Sequence, residues 1–381
     1  MSYTVAVIGT GADPDDPNRE GYAMAYRHAA GYDRLDDCEL IACADIVRAN
    51  AERFAAEFGI ESVYEDYEVM LREVRPDVVS VCVPPSIHAE IAVGCAESGV
   101  VEAIHCEKPM ADTWADCKRM VEVCNDRGVQ LTINHQRRFG APFREAKSLL
   151  DGGAIGSLRR LEFADDNLYD LGTHAFDLCN YYADQATVEW VLAGIDYRDQ
   201  NVWFGTHNEN QGLAQWKYDT GGFGLASTGY GASFVGCYLR LVGSDGAIEI
   251  GVNDGPPLQV RRMRSSGWND VDTSGENVYG PTSNVVRAGI RKVAGRISGR
   301  LQEAVTPTTY VDRATADVIK AVRTDDESEL SAENALQADE LAFASWESAR
   351  RRGRVDLPLT IDDNPLAAMV ESGQLQVEST E

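Results

Sequence analysis

Residues 3–11 read Tyr-Thr-Val-Ala-Val-Ile-Gly-Thr-Gly, and the fold class turns on this stretch. A short β-branched apolar run ending in glycine suits a strand buried on both faces of a parallel sheet. Gly9 and Gly11 then permit a tight turn and a close approach of bare backbone. Placed between a strand and a helix, such a turn suits a pyrophosphate docked on the helix N-terminus. The helix does not follow at once. Residues 12–20 are polar and carry Pro14 and Pro17, and helical spacing begins only near Gly21, with Tyr22, Ala25, Tyr26 and Ala29 on one side.

The next apolar run, Glu39–Ala44, ends at Asp45. An acid about 20 residues beyond the third small residue of a dinucleotide loop accepts the adenosine ribose hydroxyls. Counted back from Asp45, that small residue is Ala25, so residues 12–24 read as an insertion within the phosphate loop. Gly9, Thr10, Gly11 and Asp45 are therefore candidate cofactor contacts. Asp45 would repel a 2′-phosphate, which favours NAD, while Arg48 nearby keeps NADP open. Asp45 also suits a helix N-cap, and the two roles are compatible.

Strand and helix patterns then alternate. Helices are expected over 48–58, 66–74 and 89–98, with strands over 63–64, 77–83 and 100–106. The strand at 77–83 stops at Pro84-Pro85-Ser86, with His88 just beyond. The strand at 100–106 runs into Glu107-Lys108-Pro109. Proline keeps the residue before it out of the helical region, so Lys108 sits on an extended corner at a strand end, where parallel sheets present groups to ligands. Alone, that lysine reads as a solvated surface charge. Thr113-Trp-Ala-Asp116 resembles a capping box that starts a helix to about Arg127, and 129–134 is another strand. Alternation of this length predicts a doubly wound parallel sheet.

The chain has 381 residues, enough for two cores. Its net charge is −26, from 61 acidic against 35 basic residues, which argues against nucleic-acid or anionic-membrane partners. Dispersed acid and few lysines suggest adaptation to high salt. No long apolar stretch or basic leader is expected to mark a membrane span or signal peptide, so a cytoplasmic setting is anticipated. Nine cysteines without a C-x-x-C pair read as buried reduced thiols. The six histidines are scattered, and no metal site is expected.

Taken in order, these features resemble the Gfo/Idh/MocA family of oxidoreductases (glucose–fructose oxidoreductase, inositol dehydrogenase and MocA). The resemblance rests on the strand and G-x-G at 5–11, Asp45, Pro84-Pro85 with His88, and Glu107-Lys108-Pro109. It continues through Arg138-Phe139, Gly152 with Ile155-Gly156, Asp170-x-x-x-His174, Glu347-Ser-Ala, and Val355-Asp-Leu-Pro358. It implies a Rossmann domain followed by an α+β domain with a large, mostly antiparallel sheet. Boundaries at 1–135 and 136–358 follow, with 359–381 an acidic extension and the helix at 332–352 returning to the first domain. Pro84, Pro85, His88, Glu107 and Lys108 would join the cofactor site. Lys108, Asp170 and His174 would be catalytic and, with Asn134 and Arg138, would contact substrate. In that scheme His174 is the general base, Lys108 polarises the substrate oxygen, and Asp170 orients the imidazole or binds a second hydroxyl. Asp177 is a rival for the Asp role. The implied activity is hydride transfer between nicotinamide and a hydroxyl-bearing carbon of a sugar or polyol, by a homodimer or tetramer joined through the second sheet. Two alternatives remain: a glycoside hydrolase using NAD for transient oxidation, and a non-catalytic dinucleotide sensor. The Lys108-Pro109 bond is a candidate cis peptide.

The chain departs from the family in its acidic loop insertion and in a short link, 164–169, before Asp170. The shortened link suggests a wider cleft. Beyond it, strands are expected over 187–196, 212–218, 222–228, 237–243, 247–251 and 258–264, with hairpin turns at Gly221-Gly222 and Ser244-Asp245-Gly246. Trp203, Trp216, Phe223 and Tyr230 read mainly as sheet core. Residues 265–305 read as a long loop, 311–322 and 332–352 as helices, and Leu366–Val370 as a segment docking on a partner or the core.

Overall fold

The computed structural model describes residues 2–16, 21–282 and 307–375. The first half alternates β1 (Tyr3–Ile8), α1 (Met24–Asp33), β2 (Cys38–Ala44), α2 (Arg48–Phe58), β3 (Ser62–Tyr64), α3 (Tyr67–Val74), β4 (Val78–Val81), α4 (His88–Glu97), β5 (Ala103–Cys106), α5 (Trp114–Arg127) and β6 (Gln130–Ile133). The six strands are parallel, in the order β3-β2-β1-β4-β5-β6. Val5 to Val7, Val78 to Val81 and Ala103 to Cys106 are buried, which is why these runs are apolar on both faces, Ser80 and His105 excepted, and do not alternate. The chain reverses its winding between β1 and β4, and ligands bind at such a switch point.

A 3₁₀ turn at Gln136–Phe139 leads into α6 (Ala141–Asp151), β7 (Leu158–Asp165), α7 (Gly172–Tyr182) and β8 (Val188–Asp196). A small hairpin, β9 (Val202–Trp203) and β10 (Thr206–His207), precedes β11 (Gln211–Tyr218), β12 (Phe223–Gly229), β13 (Cys237–Gly243), β14 (Gly246–Val252), β15 (Leu258–Arg262) and β16 (Asn269–Asp270). After them come β17 (Glu276–Asn277), β18 (Gly280–Pro281), α8 (Tyr310–Thr324), α9 (Ala332–Arg351), β19 (Val355–Asp356) and α10 (Pro365–Glu371). The second sheet has nine strands, β16-β15-β14-β13-β7-β12-β11-β8-β19. Only the β7–β12 pair is parallel, so the architecture is α/β: a parallel Rossmann sheet plus a larger, mostly antiparallel one. The hairpin turns fall where the sequence places them, between β11 and β12 and between β13 and β14.

One face of the second sheet is covered by α7 and α9, and Trp216, Phe163 and Phe176 interlock there. The aromatic expectation needs correcting. Trp216 is core, but Trp203, Phe223 and Tyr230 are exposed. Strand alternation explains Phe223, which faces away from the helices with Leu225, Leu213 and Leu192. The return to the first sheet also differs in detail. Helix α8 packs on α1 and β5, through Val318 and Ile319 against Val5, Tyr32 and Val78, while α9 bridges α5, α7 and β8. The loop expected over 265–305 contains β16, which pairs back onto β15, and the short β17–β18 pair, and 283–306 lies outside the described residues. The tail beyond 358 docks on the core: Leu366 and Met369 are buried, Trp114 Nε1 donates to the Leu359 carbonyl, and Asn364 caps α10.

Candidate active site

A cleft of about 1310 Å³ opens at the switch point and runs to the inner end of the second sheet. That exceeds the roughly 300–1,000 Å³ usual for one small ligand and suits two. One end is the Gly9-Thr10-Gly11 loop, with Cys82, Pro84 and Pro85 across it. Gly9 has φ +81°, and a Cβ there would come within 2.5 Å of Val83. The loop therefore presents backbone alone, the surface a pyrophosphate needs. Helix α1 begins after Ala23 (φ 50°) with no side-chain cap, so its first-turn N–H groups stay available to an anion. These residues fit a dinucleotide. Asp45 lies at the end of β2, accepting bonds from Gly11 N (2.9 Å), Thr10 Oγ1 (3.0 Å) and Val47 N (2.8 Å). Each carboxylate oxygen has two lone pairs; Oδ2 has both engaged and Oδ1 one, so Asp45 can hold the loop and still accept one ribose hydroxyl at Oδ1. Arg48 is occupied by Glu52 at 2.8 Å and by Glu65 at 3.9 Å.

At the middle of the cleft β5 ends in Glu107, Lys108 and a cis Lys108-Pro109 bond. Lys108 Nζ donates to Asp170 Oδ1 (2.8 Å) and to the Asp170 carbonyl (2.7 Å). The pair spans the two sheets. Asp170 precedes α7, and His174 sits in its first turn; both line the cleft with Lys108. Asp170 is thus Lys108's partner, not the group that orients the imidazole. His174 packs edge-on to His135, with ring centroids 5.4 Å apart, and its Nδ1 is buried with no hydrogen-bond partner among the described residues. Burial, then Arg137, Lys108 and His135, hold its pKa well below the ordinary value, so the ring is neutral and able to take a proton.

The link before Asp170 is braced from behind. Buried Glu209 accepts from Leu168 N (2.6 Å), Thr228 Oγ1 (2.9 Å) and Trp346 Nε1 (2.9 Å), and Asn208 Oδ1 accepts from Asp170 N. Below Lys108 lies a second polar cluster. His28 Nδ1 meets Ser80 Oγ at 2.7 Å, and His28 Nε2 and Asn134 Nδ2 meet Glu107 Oε1 at 2.8 and 2.6 Å. Burial opposes charge on both members, yet the pairing wins. The Cys82 thiol and Glu107 carboxylate draw His28 upward, while His28 and Asn134 keep Glu107 ionised.

Three expected contacts sit elsewhere. His88 is buried between the carbonyls of Pro109 (2.9 Å) and Val83 (2.8 Å) and fastens the two cleft-lining corners together without lining the cleft itself. Asn134 lies a layer below, on Glu107. Arg138 is buried in a two-pronged pair with Asp177, both bonds 2.7 Å, and also donates to the Glu329 carbonyl. This pair also removes Asp177 from the catalytic role. Arg137, one residue earlier, lines the cleft instead. His28, Glu209 and Arg137 were all missed by the sequence reading. His28 had a signal: a polar residue three positions after Ala25, on the inward face of α1.

Residues 4–135 match the oxidoreductase family with an NAD-binding Rossmann fold, and 160–357 match that family's C-terminal α/β domain. The chain is 25% identical over 190 residues to myo-inositol 2-dehydrogenase of Thermotoga maritima, covering 46% of this chain and 56% of that one. It is 31% identical over 154 residues to D-glucoside 3-dehydrogenase of Escherichia coli, covering 40% of each. The matches thus span about half the length of these curated relatives. Two solved structures share the fold. An NAD-binding oxidoreductase from Klebsiella pneumoniae has a TM-score of 0.73 at 21% identity, over 94% of this chain and 100% of that one. The WlbA dehydrogenase of Bordetella pertussis, in complex with NADH and UDP-GlcNAcA, has a TM-score of 0.69 at 19% identity, over the same shares. Matched over both its Rossmann and its C-terminal segments, the chain belongs to the Gfo/Idh/MocA oxidoreductase family.

Proposed function

We propose that this protein is an NAD-dependent dehydrogenase acting on a CH–OH group of a sugar, polyol or related compound. One observation carries the reading: Lys108, Asp170 and His174 meet in the cleft that also holds the bare glycine loop and the uncapped start of α1. When bound, NAD supplies the hydride acceptor. Gly9, Gly11 and the first turn of α1 hold the pyrophosphate, and Asp45 holds the adenosine ribose. With Arg48 already paired, NAD is preferred over NADP. Lys108, fixed by Asp170, donates a hydrogen bond to the substrate oxygen and stabilises charge developing there. His174, kept neutral, takes the hydroxyl proton. Pro84, Pro85 and Glu107 shape the cofactor wall.

Two further parts of the proposal concern the molecule's surroundings. The exposed side of the second sheet, with Leu192, Leu213, Phe223 and Leu225, joins subunits into a homodimer or tetramer. The nine unpaired cysteines, seven of them buried, fit a reducing cytoplasm.

The test is a screen of sugars and polyols with NAD and NADP in parallel, followed at 340 nm. Lys108→Ala should cut kcat by at least about 10²-fold while NADH binding, read by fluorescence titration, stays within a few-fold. Undiminished turnover in that variant would remove Lys108 from the mechanism.

A further inference from the structure

We propose that the substrate carries a carboxylate beside the reacting hydroxyl, and that Arg137 is the residue that selects it. The proposal rests on the dehydrogenase reading above and names its substrate class. Arg137 and Arg138 are neighbours in one 3₁₀ turn, yet they are used differently. Arg138 spends its guanidinium on Asp177 and the Glu329 carbonyl. The Arg137 side chain donates within bonding geometry only to Asp165 Oδ2 among the described residues, at 3.5 Å, the outer limit for such a bond; the Tyr238 hydroxyl lies beside the guanidinium and is neutral, so it leaves the positive charge uncompensated. The remaining guanidinium N–H groups are not among the buried unpartnered atoms, so they face the cleft that Arg137 lines. A largely buried guanidinium with unused donors is costly unless an anion completes it.

The fork is held ready. The guanidinium carbon lies 4.8 Å from the Tyr238 ring centroid and 5.8 Å from that of Tyr279, so the group is flanked by two aromatic rings. A planar fork fixed in this way matches a carboxylate through two parallel bonds, whereas a hydroxyl offers it one neutral acceptor.

Charge in the cleft points the same way. Lys108 is neutralised by Asp170 at 2.8 Å. Asp166 is exposed to water, where its repulsion is screened. Asp165, the loose partner of Arg137, is pushed up in pKa by burial, which weakens its claim on the guanidinium. Arg27, at the rim of the same cleft, is exposed to water; of the two inner cations, Lys108 and Arg137, Arg137 is the less compensated. Burial, Arg137, Lys108 and His135 all act against a proton on His174. A carboxylate seated on Arg137 supplies the opposite charge, and with it a more basic imidazole.

The test uses the full chain saturated with NADH and calorimetric titration of matched pairs: D-glucose with D-glucuronate, and D-galactose with D-galacturonate. In at least one pair the acid should bind ten-fold or more tightly than its neutral partner. That ratio should collapse in Arg137→Met and survive only partly in Arg137→Lys, which keeps the charge but not the fork. NADH affinity reports whether each variant is folded. If Arg137→Met loses NADH, the ratio in Arg137→Lys decides. Equal affinity within both pairs, or a ratio untouched by these substitutions, overturns the proposal. A protein that binds the acid selectively but makes no NADH from any sugar, polyol or sugar acid with NAD keeps the Arg137 assignment and loses the dehydrogenase reading.

Discussion

His174 enters the cleft with burial, the Arg137 and Lys108 charges and the neighbouring His135 ring all opposing its protonation. A base of this kind is already unprotonated at neutral pH. The sign of its pH dependence follows: kcat/KM should be flat from about pH 6.5 to 8 and fall only at lower pH, as the imidazole gains its proton. His174→Asn should lower kcat by about 10²–10⁴-fold and abolish that acid limb. A limb that persists in the variant would belong to another group. Asp339 offers a second titration, of stability. It is buried in α9, accepts from Met110 N at 3.3 Å through Oδ1, and has no partner for Oδ2 among the described residues. Burial raises its pKa to about 7. Between the unfolded value near 4 and this one, the folded chain keeps a proton the unfolded chain has lost. Stability therefore falls as pH rises through that window, by on the order of 4 kcal/mol, and stays lower above it. Asp339→Asn should show a higher melting temperature than the wild type at pH 8, with the gap closing toward pH 4. A gap independent of pH would show that Asp339 is already ionised without penalty.

At the scale of elements, α10 shows how a polar tail can be part of the core. Asn364 caps it, accepting from Leu366 N and Ala367 N, and also donates to the Asp112 carbonyl. Leu366 is fully buried. Leu366→Ala should cost about 3 kcal/mol, read by urea unfolding; a loss below about 0.5 kcal/mol would mean the segment is not held in solution. The sequence marked Leu366–Val370 as a docking segment but left the site open, since five residues carry no period that names a partner. Legibility followed the same physics elsewhere. The β1 run and Gly9 were readable because burial on both faces leaves a continuous apolar signature. The Lys108–Asp170–His174 set came from the family resemblance and not from spacing, which left Lys108 a surface charge; the fold brings the three to one cleft because each stands at the end of an element. Arg137 and Arg138 were not separable: adjacent residues in a 3₁₀ turn point to different sides, and only packing against Asp177 and Tyr238 tells which side is the cleft. His88 was misplaced because its ring spans two loop carbonyls that no pattern brings together. Phe223 and Trp203 were placed in the core on aromaticity alone, whereas the strand period and the hairpin put them outside.

The whole molecule carries a net charge of −26, and that figure decides how it answers to salt. Ion pairs such as Arg48–Glu52, Lys118–Asp362 and Arg354–Asp356 lie on the surface. Pairs of this kind contribute about 0–1 kcal/mol each, and salt weakens them. Repulsion among the excess acids acts over the whole surface, and salt weakens it too. With 61 acidic residues against 35 basic ones, repulsion is the larger sum, so screening should stabilise the fold. The screening length falls from about 30 Å at 0.01 M to about 3 Å at 1 M. Repulsion between surface acids is then confined to near neighbours, and further salt adds little. The melting temperature should therefore rise steeply in KCl up to about 1 M and then level off. A gain due to exclusion of salt from apolar surface would instead keep growing with concentration, and faster with sulfate than with chloride. The two are separated by melting curves in KCl and in potassium sulfate at matched ionic strength. Coincident curves that plateau near 1 M assign the effect to the acidic surface. A melting temperature that falls with KCl would mean the surface ion pairs outweigh the excess charge, and would remove the basis for treating this acidic surface as a high-salt adaptation.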